Sequence, residues 1–120
     1  MKELTKAEEE VMQVLWDLES AFVKDIISEL PEPKPAYNTV STFIRILQQK
    51  GFVGHEPEGR SHKYYPIISK EVYTKNFMKG LVSRYFEGSF KQMVSFFANE
   101  EDLSLSELEQ LIKELKKKKS

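Results

Sequence analysis

The chain has no cysteine. That absence excludes a disulfide framework, a thiolate nucleophile and any cysteine-based metal site. Histidine is nearly absent too: His55 and His62 are the only two. They could approach across a hairpin with Glu56 or Glu58 beside them, but their spacing matches no strong zinc pattern. The chain has no Gly-rich phosphate loop, and acidic pairs such as Glu100-Glu101 resemble a solvated loop rather than a catalytic dyad. The expectation is a protein that is not an enzyme, with no cofactor and no metal. No run approaches the ~18 apolar residues that span a bilayer. The N-terminus is acidic and helical where a signal peptide would be apolar. The reading is a cytoplasmic chain without membrane insertion.

Net charge is also small, -1 over 120 residues, which argues against a simple polybasic binder. The total conceals a gradient. Residues 1–33 hold three lysines and nine acids, residues 34–79 hold eight basic and three acidic residues, and residues 80–120 balance. The middle is where contacts to phosphate are expected, if the gradient is more than surface patterning.

Helical periodicity opens the chain. Thr5 and Glu8 form a capping-box pattern, and Ala7, Val11, Val14, Leu15 and Leu18 mark the apolar face of a helix over 6–18. Trp16 suits packing at a core or its edge. A second helix is expected over 22–30, with Ser20 as cap and Val23, Ile26, Ile27 and Leu30 buried. Pro31, Pro33 and Pro35 end it. A third runs from Asn38 to a stop at Lys50-Gly51. Phe52–Glu56 and His62–Ile67 read as antiparallel strands about a turn at 57–61. Three helices and a basic-tipped hairpin are the order of a winged helix-turn-helix.

The third helix is unusual on its polar side. Val40, Phe43, Ile44 and Leu47 fall on one face. Asn38, Thr42, Arg45 and Gln49 fall opposite, with Ser41 and Gln48 beside them. These residue types can address base edges in a major groove. Asn38, Ser41 and Arg45 suit base edges or nearby phosphate. Thr39 and Thr42 suit phosphate or a thymine methyl, and Tyr37 suits the helix entry or DNA backbone. Arg60, His62 and Lys63 on the hairpin suit phosphate.

Ser69 suits the cap of a fourth helix through 70–97. That stretch holds half of the aromatic residues: Tyr73, Phe77, Tyr85, Phe86, Phe90, Phe96 and Phe97. One helix against a small core cannot easily bury them all, and a partner subunit can. A compact monomeric core and an aromatic-lined ligand pocket are the alternatives. Gly80 and Gly88 allow close contact or a bend. A last helix starts at a second capping box, Ser104 with Glu107, and carries Leu105, Leu108, Leu111, Ile112 and Leu115. Lys116–Lys119 suit its negative end.

These pieces together resemble the penicillinase repressor family. The likeness rests on Leu4-Thr5-Lys6-Ala7-Glu8 with Val14-Leu15-Trp16, on Tyr37-Asn38-Thr39-Val40-Ser41-Thr42, on Leu47-Gln48-Gln49-Lys50-Gly51-Phe52-Val53, on Gly59-Arg60-Ser61-His62-Lys63-Tyr64-Tyr65-Pro66, and on Glu101-Asp102-Leu103-Ser104. The resemblance implies a mainly α fold with a small β-hairpin wing, a DNA-binding domain over 1–68 and a helical dimerisation region over 69–120. It implies a homodimeric repressor on a palindromic operator, with the third helix in the major groove. Dimer contacts are expected from Tyr73, Phe77, Leu81, Tyr85, Phe86, Phe90, Val94, Phe97, Leu108, Leu111, Ile112 and Leu115. Relief by a membrane-linked sensor protease is also implied. Two positions depart from the family pattern. Ile46 stands where many relatives carry arginine, and Phe96-Phe97 stands where beta-lactamase-type repressors are cut at Asn-Phe. The competing function is a protein-interaction adaptor on the same scaffold, without specific DNA recognition.

Overall fold

The computed structural model describes residues 1–100 together with Ser106, Glu107, Glu109, Gln110, Lys113 and Glu114. The elements are α1 (Lys6–Leu18), α2 (Val23–Glu29), α3 (Tyr37–Gln49), β1 (Val53–Glu58), β2 (Ser61–Pro66), α4 (Lys70–Tyr85) and α5 (Phe90–Glu100). They form a mainly helical winged helix-turn-helix with a two-stranded hairpin. The six described residues beyond 105 are helical. The apolar stripe expected there, Leu105, Leu108, Leu111, Ile112 and Leu115, lies outside the described residues, as do Ser104 and the terminal lysines. The chain divides into two compact units, Met1–Lys75 and Asn76–Ser120.

The capping box at α1 is present. The Glu8 amide donates to Thr5 Oγ1 at 3.2 Å, and the Thr5 amide donates to Glu8 Oε1 at 3.1 Å. The buried stripe is displaced from the expected one: Met12 is fully buried and Leu18 is exposed. Glu8, Val11, Met12 and Leu15 lie at i, i+3, i+4 and i+7, and this set faces the core. Burying a Val, Leu or Ile side chain is worth about 1.5–3 kcal/mol, so the core of α1–α3, with Phe52 and Val53, supplies the main driving force.

α2 starts later than expected, and Ser20 does not cap it. Ala21 is pulled into an antiparallel bridge with Tyr64, each amide donating to the other's carbonyl at 2.9 and 2.8 Å. The helix therefore begins after Phe22, whose amide donates to Asp25 Oδ2 at 3.0 Å. Leu30 before Pro31 is extended, as the proline ring requires. Lys34 Nζ donates to the carbonyls of Ser28 (2.8 Å) and Leu30, satisfying the end of α2.

α3 ends in a Schellman arrangement. The Gly51 amide donates to the Gln48 carbonyl at 3.0 Å and the Phe52 amide to the Leu47 carbonyl at 2.9 Å. Gly51 takes φ 83°, which only glycine adopts cheaply. The chain then enters β1, paired antiparallel with β2 from Val53↔Pro66 to Glu58↔Ser61. The strands run further than expected and leave a two-residue turn, Gly59-Arg60. Pro57 lies inside β1, which has a partner on one side only, so its missing N–H breaks no second ladder.

The expected single helix over 70–97 is instead two helices. Ser69 Oγ caps α4 by accepting from the Val72 amide at 3.1 Å. Glu87 and Gly88 then take φ of 52° and 79°. The Val82 carbonyl accepts from the amides of both Phe86 and Gly88 at 3.0 Å. Ser89 Oγ restarts the helix by accepting from the Gln92 amide at 3.1 Å. In the second unit Val82, Met93 and Val94 are buried, and the Phe86 and Phe96 rings lie 5.7 Å apart.

Candidate nucleic-acid interface

The side chains named from the sequence fall on two neighbouring pieces of the first unit. Val40, Ile44 and Leu47 seat α3 in the core, and Phe43 is half-buried. The remaining face carries Tyr37, Asn38, Thr39, Thr42, Arg45 and Gln49 exposed, with Ser41 half-buried. Tyr37 is 59% exposed. Thr42 donates its hydroxyl hydrogen to the Asn38 carbonyl at 2.9 Å. That leaves its oxygen as an acceptor and its methyl free to meet apolar groups. Ile46 is half-buried beside exposed Arg45.

Two attachments fix α3 against its surroundings. At its C-terminal end, Lys50 Nζ lies 2.6 Å from Glu8 Oε1 and donates to the Glu3 carbonyl at 2.8 Å. Burial alone would raise the Glu8 carboxyl. The hydrogen bond from Lys50 and those from Thr5 outweigh it, and the group is held below the usual carboxylate value. Two residues earlier, the Gln48 side-chain amide lies 2.7 Å from His55 Nδ1. Sequence inspection did not find this tie. Its only signal is that the two residues flank the Gly51 stop by similar distances.

On the wing, Arg60 occupies the turn and is exposed, as is His62. Lys63 is half-buried, with its ammonium 5.7 Å from the centroid of the Phe22 ring. A cation so placed keeps its charge near the surface while its stem covers apolar area. His55 and His62 do meet across the strands, ring centroids 4.5 Å apart. Among the described residues no group of three or more His, Asp or Glu side chains is arranged to hold a metal ion. Tyr64 links wing and helix. Burial pushes its phenol above the ordinary value, Tyr37 adds to the rise and Arg45 opposes it, which places all three within electrostatic reach.

The side chains expected at a dimer contact are more scattered. In the second unit Phe77, Tyr85 and Phe97 are exposed, Tyr85 by 70%. Leu81, Phe86 and Phe90 are half-buried and Val94 is buried. Tyr73 has partners within the first unit, its ring beside Trp16 and Phe52. Leu108, Leu111, Ile112 and Leu115 lie outside the described residues. Among the described residues no helix is long and apolar enough to cross a membrane.

Comparison with known proteins agrees with this geometry. The model of the penicillinase repressor family matches residues 4–117. The methicillin resistance regulatory protein MecI of Staphylococcus aureus strain N315 is 31% identical over 117 residues, covering 97% of this chain and 95% of that protein. The penicillinase repressor of Bacillus licheniformis is 31% identical over 121 residues, covering 98% and 94%. Among solved structures, the DNA-binding domain of the repressor BlaI superposes with a TM-score of 0.52 at 34% identity, covering 61% of this chain and 94% of that one. The Bacillus licheniformis BlaI monomeric form in complex with the blaP half-operator gives 0.51 at 33% identity, covering 60% and 89%.

Proposed function

This chain belongs to the penicillinase repressor family, and we propose that it is a sequence-specific transcriptional repressor that binds a palindromic operator as a homodimer. The observation that carries the reading is the exposed polar face of α3, held at Lys50 and Gln48 beside a basic-tipped wing. Residues 1–68 form the DNA-binding domain of this reading, and residues 69–120 the dimerisation region. α3 enters the major groove. Asn38, Ser41 and Arg45 address base edges, and Thr39 and Thr42 meet phosphate or a thymine methyl. Tyr37 meets the backbone at the helix start. Arg60, His62 and Lys63 follow phosphates beside the groove and contribute affinity with little sequence preference. Ile46 cannot read a base by hydrogen bonding. Arg45 does so from a position turned ~100° around the helix, so the preferred operator differs from that of relatives with an arginine at 46.

Titration with genomic fragments at physiological salt tests the reading. One or a few fragments carrying an inverted repeat are bound far more tightly than bulk DNA; equal, weak binding to every fragment rejects operator recognition and favours an adaptor. Relief by a membrane-linked sensor protease belongs to the same proposal. Phe96 and Phe97 are exposed on α5, and cutting between them requires local unwinding of that helix. Sequencing the fragments from induced cells locates the cut there, and a chain that stays intact during induction rejects this part.

A further inference from the structure

Strand alternation divides the side chains of the wing. The register sets Glu56 opposite Lys63, Pro57 opposite His62 and His55 opposite Tyr64. Successive side chains of a strand point to opposite faces. Glu56 and Lys63 therefore share one face, and His55, His62 and Tyr64 share the other, where the two imidazole rings meet. A lysine directly opposite a glutamate is well placed for a cross-strand ion pair. Among the described residues no ion pair joins them. The Lys63 ammonium lies instead 5.7 Å from the centroid of the Phe22 ring. Main chain sets that neighbour. Ala21 and Tyr64 exchange amide hydrogen bonds at 2.9 and 2.8 Å, so the antiparallel register brings Phe22 beside Lys63. The Phe22 amide donates to Asp25 Oδ2 at 3.0 Å, which fixes Phe22 at the start of α2 and also engages the Asp25 carboxylate. The two possible partners of Lys63 differ in what they leave. A carboxylate neutralises the ammonium. A ring face attracts it and leaves its full charge and its three donors for another anion.

We infer that Phe22 is a positioning residue for phosphate contact: its ring face draws the Lys63 ammonium away from Glu56 and keeps that charge available to the DNA backbone. The inference rests on the repressor reading for its consequence on DNA, but the placement of Lys63 is a property of one chain and lies within its first compact unit. Loss of the ring releases the lysine to pair with Glu56, and the wing then offers one cation fewer. The exposed face of α3 is built from other contacts and stays intact.

Proton NMR of the free protein reads the placement. The ε-methylene protons of Lys63 lie upfield of those of the other exposed-chain lysines, shifted by the Phe22 ring, and return to the common position in F22L. No upfield shift in the parent overturns the inference, and that measurement needs no variant to fold. Titration with the best-bound genomic fragment reads the consequence. F22L lowers affinity about fivefold for each half-site occupied, the contribution of one phosphate contact at physiological salt, and reduces the slope of log affinity against log salt by about one. F22W keeps a ring face and restores both. E56Q recovers most of the loss in F22L but gains less than about twofold in the parent, a coupling that a merely structural defect at Phe22 does not produce. An equal gain from E56Q in both backgrounds overturns the inference. So does a loss on F22L that is undiminished when Lys63 is already Gln. If no form binds any fragment, the repressor reading fails and the consequence for DNA fails with it, while the proton shifts still decide where Lys63 is held.

Discussion

Glu8 carries two attachments through its carboxylate and a third through its amide. Its Oε1 accepts from the Thr5 amide and from Lys50, and its own amide donates to the Thr5 hydroxyl. Glu8→Gln keeps the shape and removes the charge, leaving the half-buried Lys50 without its counter-ion; the expected cost is about 1–3 kcal/mol. The folded-state pKa is depressed below the reference 4.5, so the stabilisation is present above the unfolded value and is lost as pH falls through the folded one. Urea melts of wild type and Glu8→Gln should differ at pH 7 and draw together only as pH falls past the unfolded value and through the lowered folded one; a gap that persists at the acid extreme contradicts the assignment. Arg45 is the opposite case, exposed and with little to lose in folding. Arg45→Ala should weaken operator binding by about 1–3 kcal/mol and leave thermal stability within about 0.5 kcal/mol. Equal affinity in a titration rejects its role. At this scale residue identity revealed the α3 face and the capping box. The partner of Lys50 was not legible, because it lies 42 residues away along the chain.

Elements were legible where their signals are local. The limits of α1 and the end of α3 follow from Thr5, Glu8, Gly51 and the apolar period, all within a turn or two of the feature they specify. The misses depend on distant strands or on backbone detail. Ala21 was not recognisable as a strand residue, because its partner Tyr64 is remote. Gly88 was marked in the sequence as a place where the helix can bend, but the full interruption also needs a left-handed residue at Glu87, which no propensity argument selects. The hairpin was longer than expected because Pro57 is tolerated at an edge. Gly54 offers a test of this hairpin. A Cβ there meets the Tyr65 ring at 2.7 Å, although Tyr65 is partly exposed and its ring can move. Gly54→Ala should cost about 1–2 kcal/mol alone and less when combined with Tyr65→Ala. A thermodynamic cycle with no coupling refutes the contact.

At the scale of the whole molecule, the basic middle segment and the aromatic-rich C-terminal third were both visible in composition, since charge and ring content need no coordinates. The extent of the first compact unit was not. It runs to Lys75 because Tyr73 packs on Trp16 and Phe52, a contact between residues far apart in the chain. Exposed rings in the second unit bear on assembly. Tyr85, 70% exposed, has little burial to lose within one chain. Tyr85→Ala should leave the unfolding free energy within about 0.5 kcal/mol when extrapolated to the monomer, and weaken self-association by about 1 kcal/mol or more. Sedimentation across a dilution series reads this directly, and an unchanged dissociation constant removes Tyr85 from the contact surface.

The contact between Gln48 and His55, together with the buried Phe52 between them in the chain, joins the end of α3 to the hairpin. A duplex that tilts the hairpin must tilt the helix with it. Bending or narrowing of flanking DNA that no side chain spells out should therefore be felt at the letters being read, so operators with identical cores and different flanks would be held with unequal strength.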